Sequence, residues 1–184
     1  YAIQDEKLLK TSSPVGEDLF SLLDQLKEKG YTHLIGLFLS GGISGTSNQM
    51  RLFCQTYDGL TCHVVDSQSA SVGLGIIAIA LAKYREEGKS FEELVRIADE
   101  LCHQNYAYFS IDDLNYLQKG GRIGKASAFL GTTLKIKPIL SFEKEKGEIY
   151  IPSKVRGSKK VKSKLIDLIE NQVKENPHQK FALA

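Results

Sequence analysis

Residues His33–Leu39 read HLIGLFL, an almost unbroken apolar run, and the run stops at a Ser/Gly loop, SGGISGT, over Ser40–Thr46. As a strand, a run this apolar has no face to give to water. It must be covered on both sides, which parallel sheets flanked by helices achieve. Its neighbours agree. Val15–Glu28 has helical spacing and ends at Gly30. A helical stretch follows the Ser/Gly loop, and Cys62–Val65 is a short second strand ending at Asp66. Ser71–Glu87 is helical, with Gly88 as its stop. Ser90 opens another helix, Glu93 completes a capping box, and that helix runs to about His103. Tyr106–Ile111 reads as a strand. Strands parted by helices of this length predict parallel βαβ units.

Beyond about residue 106 the pattern changes. Asp112–Gln118 predicts a short helix, KGGRIGKAS follows it, and Ala126–Leu134 predicts a further helix. Lys137–Phe142 and Glu148–Lys154 read as a hairpin turning through Lys144–Gly147. Ser158–Lys174 is an amphipathic helix, and Phe181–Ala184 opens a strand. We expect two α/β domains. Residues 1–106 form a Rossmann-like parallel-sheet domain carrying the Ser/Gly loop, and residues 107–184 form a second domain with the hairpin and a basic helix.

A chain of 184 residues can build a substantial core without disulfides. Its 24 basic and 22 acidic residues leave a net charge of +2, no global reason to expect nucleic acid. The local basic run is all that favours DNA. Cys54, Cys62 and Cys102 include no CxxC, so neither a zinc site nor a redox pair is expected. The longest apolar stretch, Val72–Ala82, is too short to cross a bilayer. No secretory leader is read at the start, and a reducing cytoplasm is the expected location.

Four stretches could carry chemistry. In SGGISGT, three glycines let successive N–H groups converge, Ser40, Ser44 and Thr46 add hydroxyls, and a following helix N-terminus adds positive dipole character. This is an anion site at strand C-terminal ends; the alternative is a βα turn whose serines cap the helix. KTSSP, Lys10–Pro14, either presents hydroxyls from a turn or caps the next helix. GGRIGK, Gly120–Lys125, is no Walker A site, because Lys119 stands where a glycine is needed and Ala126 where a hydroxyl is needed. It offers Arg122 and Lys125 to a partner or a phosphate. Lys154, Arg156, Lys159, Lys160, Lys162 and Lys164 form a basic run, either a solvated face or a docking surface for an acidic partner. His33, His63, His103 and His178 form no HExxH or HxH, and GxSxG and GxGxxG are absent. Cys62–His63 and Cys102–His103 are neighbours in sequence, and neighbours on a strand face opposite ways. No general base stands beside a nucleophile, which favours binding over catalysis.

The order of these motifs resembles the DegV family of bacterial fatty-acid-binding proteins. KTSSP, SGGISGT, VVDSQSASVGLG, LNYLQKGGRIGKASAFLG, and IKPILSFEKEKGEI followed by KVRGSKK match it across nearly the whole chain. The resemblance implies a two-domain fold with a long-chain fatty acid between the domains. It places the ligand carboxylate on Thr11, Ser12 and Ser13 and on Ser40, Gly41, Gly42, Ser44, Gly45 and Thr46. Many members have Ser where this chain has Gly41, so one hydroxyl is replaced by a backbone N–H. Further segments on both sides, one containing a His that reaches the carboxylate, are also implied.

In such a carrier the carboxylate is presented to a separate ATP-dependent fatty acid kinase subunit. The acyl-phosphate formed there feeds phospholipid synthesis. The resemblance therefore implies no catalytic residue, metal or cofactor in this chain, with the fatty acid as its only ligand. Arg122, Lys125 and Arg156 are candidates for docking the kinase, and brief contact with a membrane fits the same task. The helix Val72–Leu81 and the stretch Ala128–Leu134 are candidates to line the acyl chain. The alternative is an enzyme that acts on a small carboxylated or phosphorylated metabolite through the Ser/Gly loop.

Overall fold

A computed structural model describes residues 10–131 and 136–177. Helix α1 (Gly16–Glu28) leads into strand β1 (His33–Phe38), helix α2 (Thr46–Thr56) and strand β2 (Thr61–Asp66). Helices α3 (Ser71–Glu86) and α4 (Phe91–Gln104) follow. β1 and β2 pair in parallel, from His33 opposite Thr61 to Phe38 opposite Asp66. The period of two then sorts the side chains. Leu34, Phe38, Cys62 and Val64 face Leu19 and Leu23 of α1 and Met50 of α2. Ile35, Leu37 and Val65 face Ile77 of α3 and Ala98 and Cys102 of α4. The pair is thus covered by helices on both faces, with Val65 buried, His33 and Thr61 exposed and the other strand residues half-buried.

Local signals set the helix ends. Ser90 Oγ accepts the Glu93 N–H at 3.2 Å, and a Glu93 oxygen accepts the Ser90 N–H at 2.9 Å, the reciprocal box that starts α4. Gly88 follows α3 with φ of +84°, a left-handed conformation that suits glycine.

The second half holds helix α5 (Asn115–Lys119), a 3-10 turn over Gly124–Phe129, and the antiparallel pair β3 (Ile136–Phe142) and β4 (Ile149–Arg156). A second 3-10 turn, Ser158–Lys160, runs into helix α6 (Val161–Glu175). Ala126, Leu140, Phe142 and Ile149 form its core, and Ile43 and Ala70 from the first half pack against them.

Three expectations need correction. Tyr106–Ile111 is not a strand; only Phe109 bridges, to Leu140, through N–H···O bonds of 3.0 and 2.8 Å. Pro138 has no N–H to extend this ladder, and its carbonyl takes the Ser110 hydroxyl at 3.1 Å instead. The short helix begins at Asn115 rather than Asp112, because Asp113 Oδ1 accepts the Asn115 N–H at 2.9 Å in a local turn. The helix expected over Ala126–Leu134 is a 3-10 turn that begins at Gly124 and gives way to extended backbone at Leu130. Residues 132–134 of that expectation, His178, and the strand at Phe181–Ala184 lie outside the described residues.

The capping box is directly testable. Ser90→Ala should cost about 1 kcal/mol of stability. Urea denaturation would show a lower midpoint with an unchanged slope.

Candidate functional site

β1 and β2 end level with one another, and the segments leaving them are hydrogen-bonded together. Ser67 N–H donates to the Phe38 carbonyl at 3.2 Å and Ser40 N–H to the Ser69 carbonyl at 2.9 Å. Gln68 (φ +48°) and Ser71 (φ +52°) hold left-handed conformations without being glycines. Strain of this kind gathers where surrounding structure imposes a local geometry.

The Ser/Gly loop uses its own amides. Gly41 N–H points at Asp66, 3.0 Å from each carboxylate oxygen. Gly42 N–H donates to Ser40 Oγ at 3.3 Å, and the N–H groups of Ile43 and Ser44 both donate to the Ser40 carbonyl at 3.0 Å. The expected convergence of these amides on an external anion is therefore corrected: each already has an acceptor within the protein. Ser40 is fully buried, and its hydroxyl donates to the Gly147 carbonyl at 2.6 Å in the β3–β4 turn.

The hydroxyls beyond the loop are placed differently. Ser44 Oγ and Thr46 Oγ1 share a hydrogen bond of 3.0 Å, and Thr46 Oγ1 donates to Ser13 Oγ at 3.3 Å. Ser13, Ser44 and Thr46 are half-buried, and Gly45 lies against Ser13. Ser44 Oγ also accepts the Thr46 N–H at 3.3 Å, just ahead of α2, whose N-cap is Gly45. The cluster sits on the N-terminus of α2, whose first turn has no acidic residue. Ser47, in that turn, is fully buried, and its hydroxyl has no partner. Ser13 does not cap α1, whose N-cap is Val15 with no side-chain bond. Thr11 and Ser12 lie exposed on the segment leading to Ser13.

The docking candidates separate. Arg122 turns inward: its Nε donates to the Ile43 carbonyl at 3.1 Å and Nη1 to the Gly120 carbonyl at 2.6 Å. Lys125 pairs with Glu143, and Arg156 is exposed at the end of β4. Of the acyl-lining candidates, Ile77 is fully buried in the core, while Val72 and Ile79 face outward.

The hairpin turn closes over the loop. A Cβ on Gly42 would run into the Gly147 and Glu148 backbone. Gln68 Nε2 donates to the Lys144 carbonyl at 2.5 Å. Lys144 Nζ donates to the carbonyls of Cys102, at 2.9 Å, and Asn105, capping the C-terminal end of α4. It also lies 4.7 Å from the centre of the Tyr106 ring. Burial holds the Lys144 pKa below the ordinary lysine value, against a smaller upward pull from Cys102.

The structure brings Cys54 of α2 and Cys62 of β2 together, a pairing no CxxC spacing announces. Burial and the hydrogen bond with Cys62 push the Cys54 thiol up to about 12. Burial and the Asp99 charge push Cys102 up to about 11. Neither thiol is prepared as a nucleophile. Cys62 packs with the α1–α2 core while His63 reaches Asp99 at 3.5 Å on the other face, so this pair is split as strand geometry requires. Among the described residues no group of three or more His, Cys, Asp or Glu could hold a metal, and no helix is long and apolar enough to cross a membrane.

Ser40→Ala should lose about 1–3 kcal/mol by leaving the buried Gly147 carbonyl without its donor. Thr11→Ala, on the exposed segment, should change stability by less than about 0.5 kcal/mol. Gly42→Ala should destabilise more than either, because backbone on the far side cannot yield. Thermal unfolding of the three variants orders them.

Relatives share the overall fold. A family model described as an uncharacterised protein of the DegV family matches residues 2–184. A DegV domain-containing protein of Streptococcus pyogenes serotype M1 is 35% identical over 178 residues, covering 97% of this chain and 63% of the relative. The crystal structure of a fatty acid binding DegV family protein from Streptococcus agalactiae superposes with a TM-score of 0.84 at 33% identity, over 91% of this chain and 59% of that one. A DegV family protein from Thermus thermophilus, described for its fatty acid binding, gives 0.83 at 31%, over 94% and 60%. The chain thus spans less than two thirds of the length of these relatives. Fold, motif order and family match agree, and the chain belongs to the DegV family.

Proposed function

We propose that this chain binds a long-chain fatty acid and holds its carboxylate at the hydroxyl cluster of Ser13, Ser44 and Thr46. The cluster at the N-terminus of α2 carries the reading: three hydroxyls converge there, on a first turn with no acidic residue. The fatty acid binding described for the solved relatives supports it. Thr11, Ser12, Ser40, Gly41, Gly42 and Gly45 shape or border the site, and Arg122 brings positive charge to its rim through the Ile43 carbonyl.

The physics suits the task. At about 0.8 kcal/mol per methylene, burying roughly fifteen of them gives about 12 kcal/mol of gross driving force. Ordering costs offset part of it. The carboxylate must still be satisfied once out of water. Hydroxyls and a helix N-terminus do this without a fixed counter-ion, leaving the headgroup open to a second protein. In the same reading that protein is a separate ATP-dependent kinase, which forms an acyl-phosphate for phospholipid synthesis in the cytoplasm, with Arg156 free to help dock it. Nucleotide and metal then belong to the kinase.

Mass spectrometry of an organic extract of the purified protein should reveal a stoichiometric fatty acid. Ser44→Ala and Thr46→Ala should each weaken palmitate binding about tenfold, since a hydrogen bond to a charged group contributes about 1.5–3 kcal/mol. An extract free of lipid, from a protein that also takes up no added palmitate, would refute the reading. Catalytic turnover of a small metabolite, lost in the same two variants, would establish the enzyme alternative.

A further inference from the structure

We propose that Asp66 sets the headgroup specificity of the site, selecting a singly charged carboxylate over a doubly charged phosphate; this rests on the fatty-acid reading above. Asp66 ends β2, opposite Phe38 at the end of β1. Its half-buried carboxylate occupies the Gly41 amide with both oxygens and takes the Gln68 N–H at 2.9 Å through Oδ1. Gly41 is what admits it: a Cβ there would lie 2.5 Å from Oδ2. Among the described residues, no lysine, arginine or histidine forms an ion pair with Asp66.

The loop amides are the donors that an incoming anion would otherwise use. Asp66 fills that position with a charge of its own, in the loop that carries Ser44 and Thr46. Two consequences follow. The ligand headgroup is confined to the hydroxyl side of the loop. It also lies in the field of a negative charge that forms no ion pair among the described residues, and repulsion grows with the charge on the headgroup. A carboxylate carries one charge, and an alkyl phosphate about −1.5 to −2 at neutral pH. Neutral hydroxyls satisfy the first more readily than the second.

Asp66→Asn separates charge from shape. Oδ1 can still accept from both Gly41 and Gln68, while the Oδ2 position loses its charge and becomes an amide donor. The experiment compares hexadecanoate, hexadecyl phosphate and hexadecanol at pH 7.5 in the full chain, by displacement of a fluorescent fatty acid below micelle concentrations. The wild type should prefer hexadecanoate to hexadecyl phosphate by about tenfold or more, and Asp66→Asn should narrow that preference at least about threefold. Hexadecanol affinity should stay constant. Asp66→Ser, whose hydroxyl can accept the Gln68 N–H in the same local turn, is a second charge-free variant and should act in the same direction. An unchanged preference in both variants, or equal loss of all three ligands, would overturn the proposal. A wild type that binds none of the three would instead overturn the fatty-acid reading beneath it.

Discussion

The buried hydrogen bond from Ser40 Oγ to the Gly147 carbonyl ties the two halves of the molecule together at the edge of the site. It forms because Gly42 has no side chain, so the β3–β4 turn can rest directly on the Ser/Gly loop. The Lys144 ammonium fixes the same turn to the end of α4, and Gln68 holds the Lys144 carbonyl. Each contact uses a backbone carbonyl as acceptor. The joint therefore depends on main-chain placement more than on the identity of many side chains.

This joint divides the loop into two functional parts. Residues 40–43 serve the architecture: their hydroxyl and amides are bonded within the protein. Ser44 and Thr46, one turn further on, face Ser13 across the gap and crown the first turn of α2. A single heptapeptide thus supplies both the joint between the halves and the hydroxyls proposed to hold the carboxylate. Rigid backing behind half-buried hydroxyls is the preorganisation that the proposed anion recognition requires.

Much of this was legible in the amino-acid sequence. The run His33–Leu39 read as a buried strand, and SGGISGT read as an anion loop or a helix-capping βα turn, two readings its residues left open. The motif order carried the family. What escaped is what depends on register and on distant backbone. Asp66 read only as the end of a strand; its grip on Gly41 follows from Phe38 standing opposite it in the parallel pair. The amides of the loop could be counted, but not their acceptors. Tyr106–Ile111 looked like a strand because its own residues suit one, while the obstacle, Pro138, lies 27 positions beyond Ile111. The Cys54–Cys62 contact likewise arises from α2 packing on β2.

The central claim is that a fatty-acid carboxylate is held by Ser13, Ser44 and Thr46. Carbon NMR of palmitate labelled at its carboxyl carbon tests it most directly. The account predicts a carboxyl resonance in slow exchange, distinct from free lipid, that moves when Ser44 and Thr46 are both replaced by alanine. A bound resonance indifferent to that double replacement would contradict it.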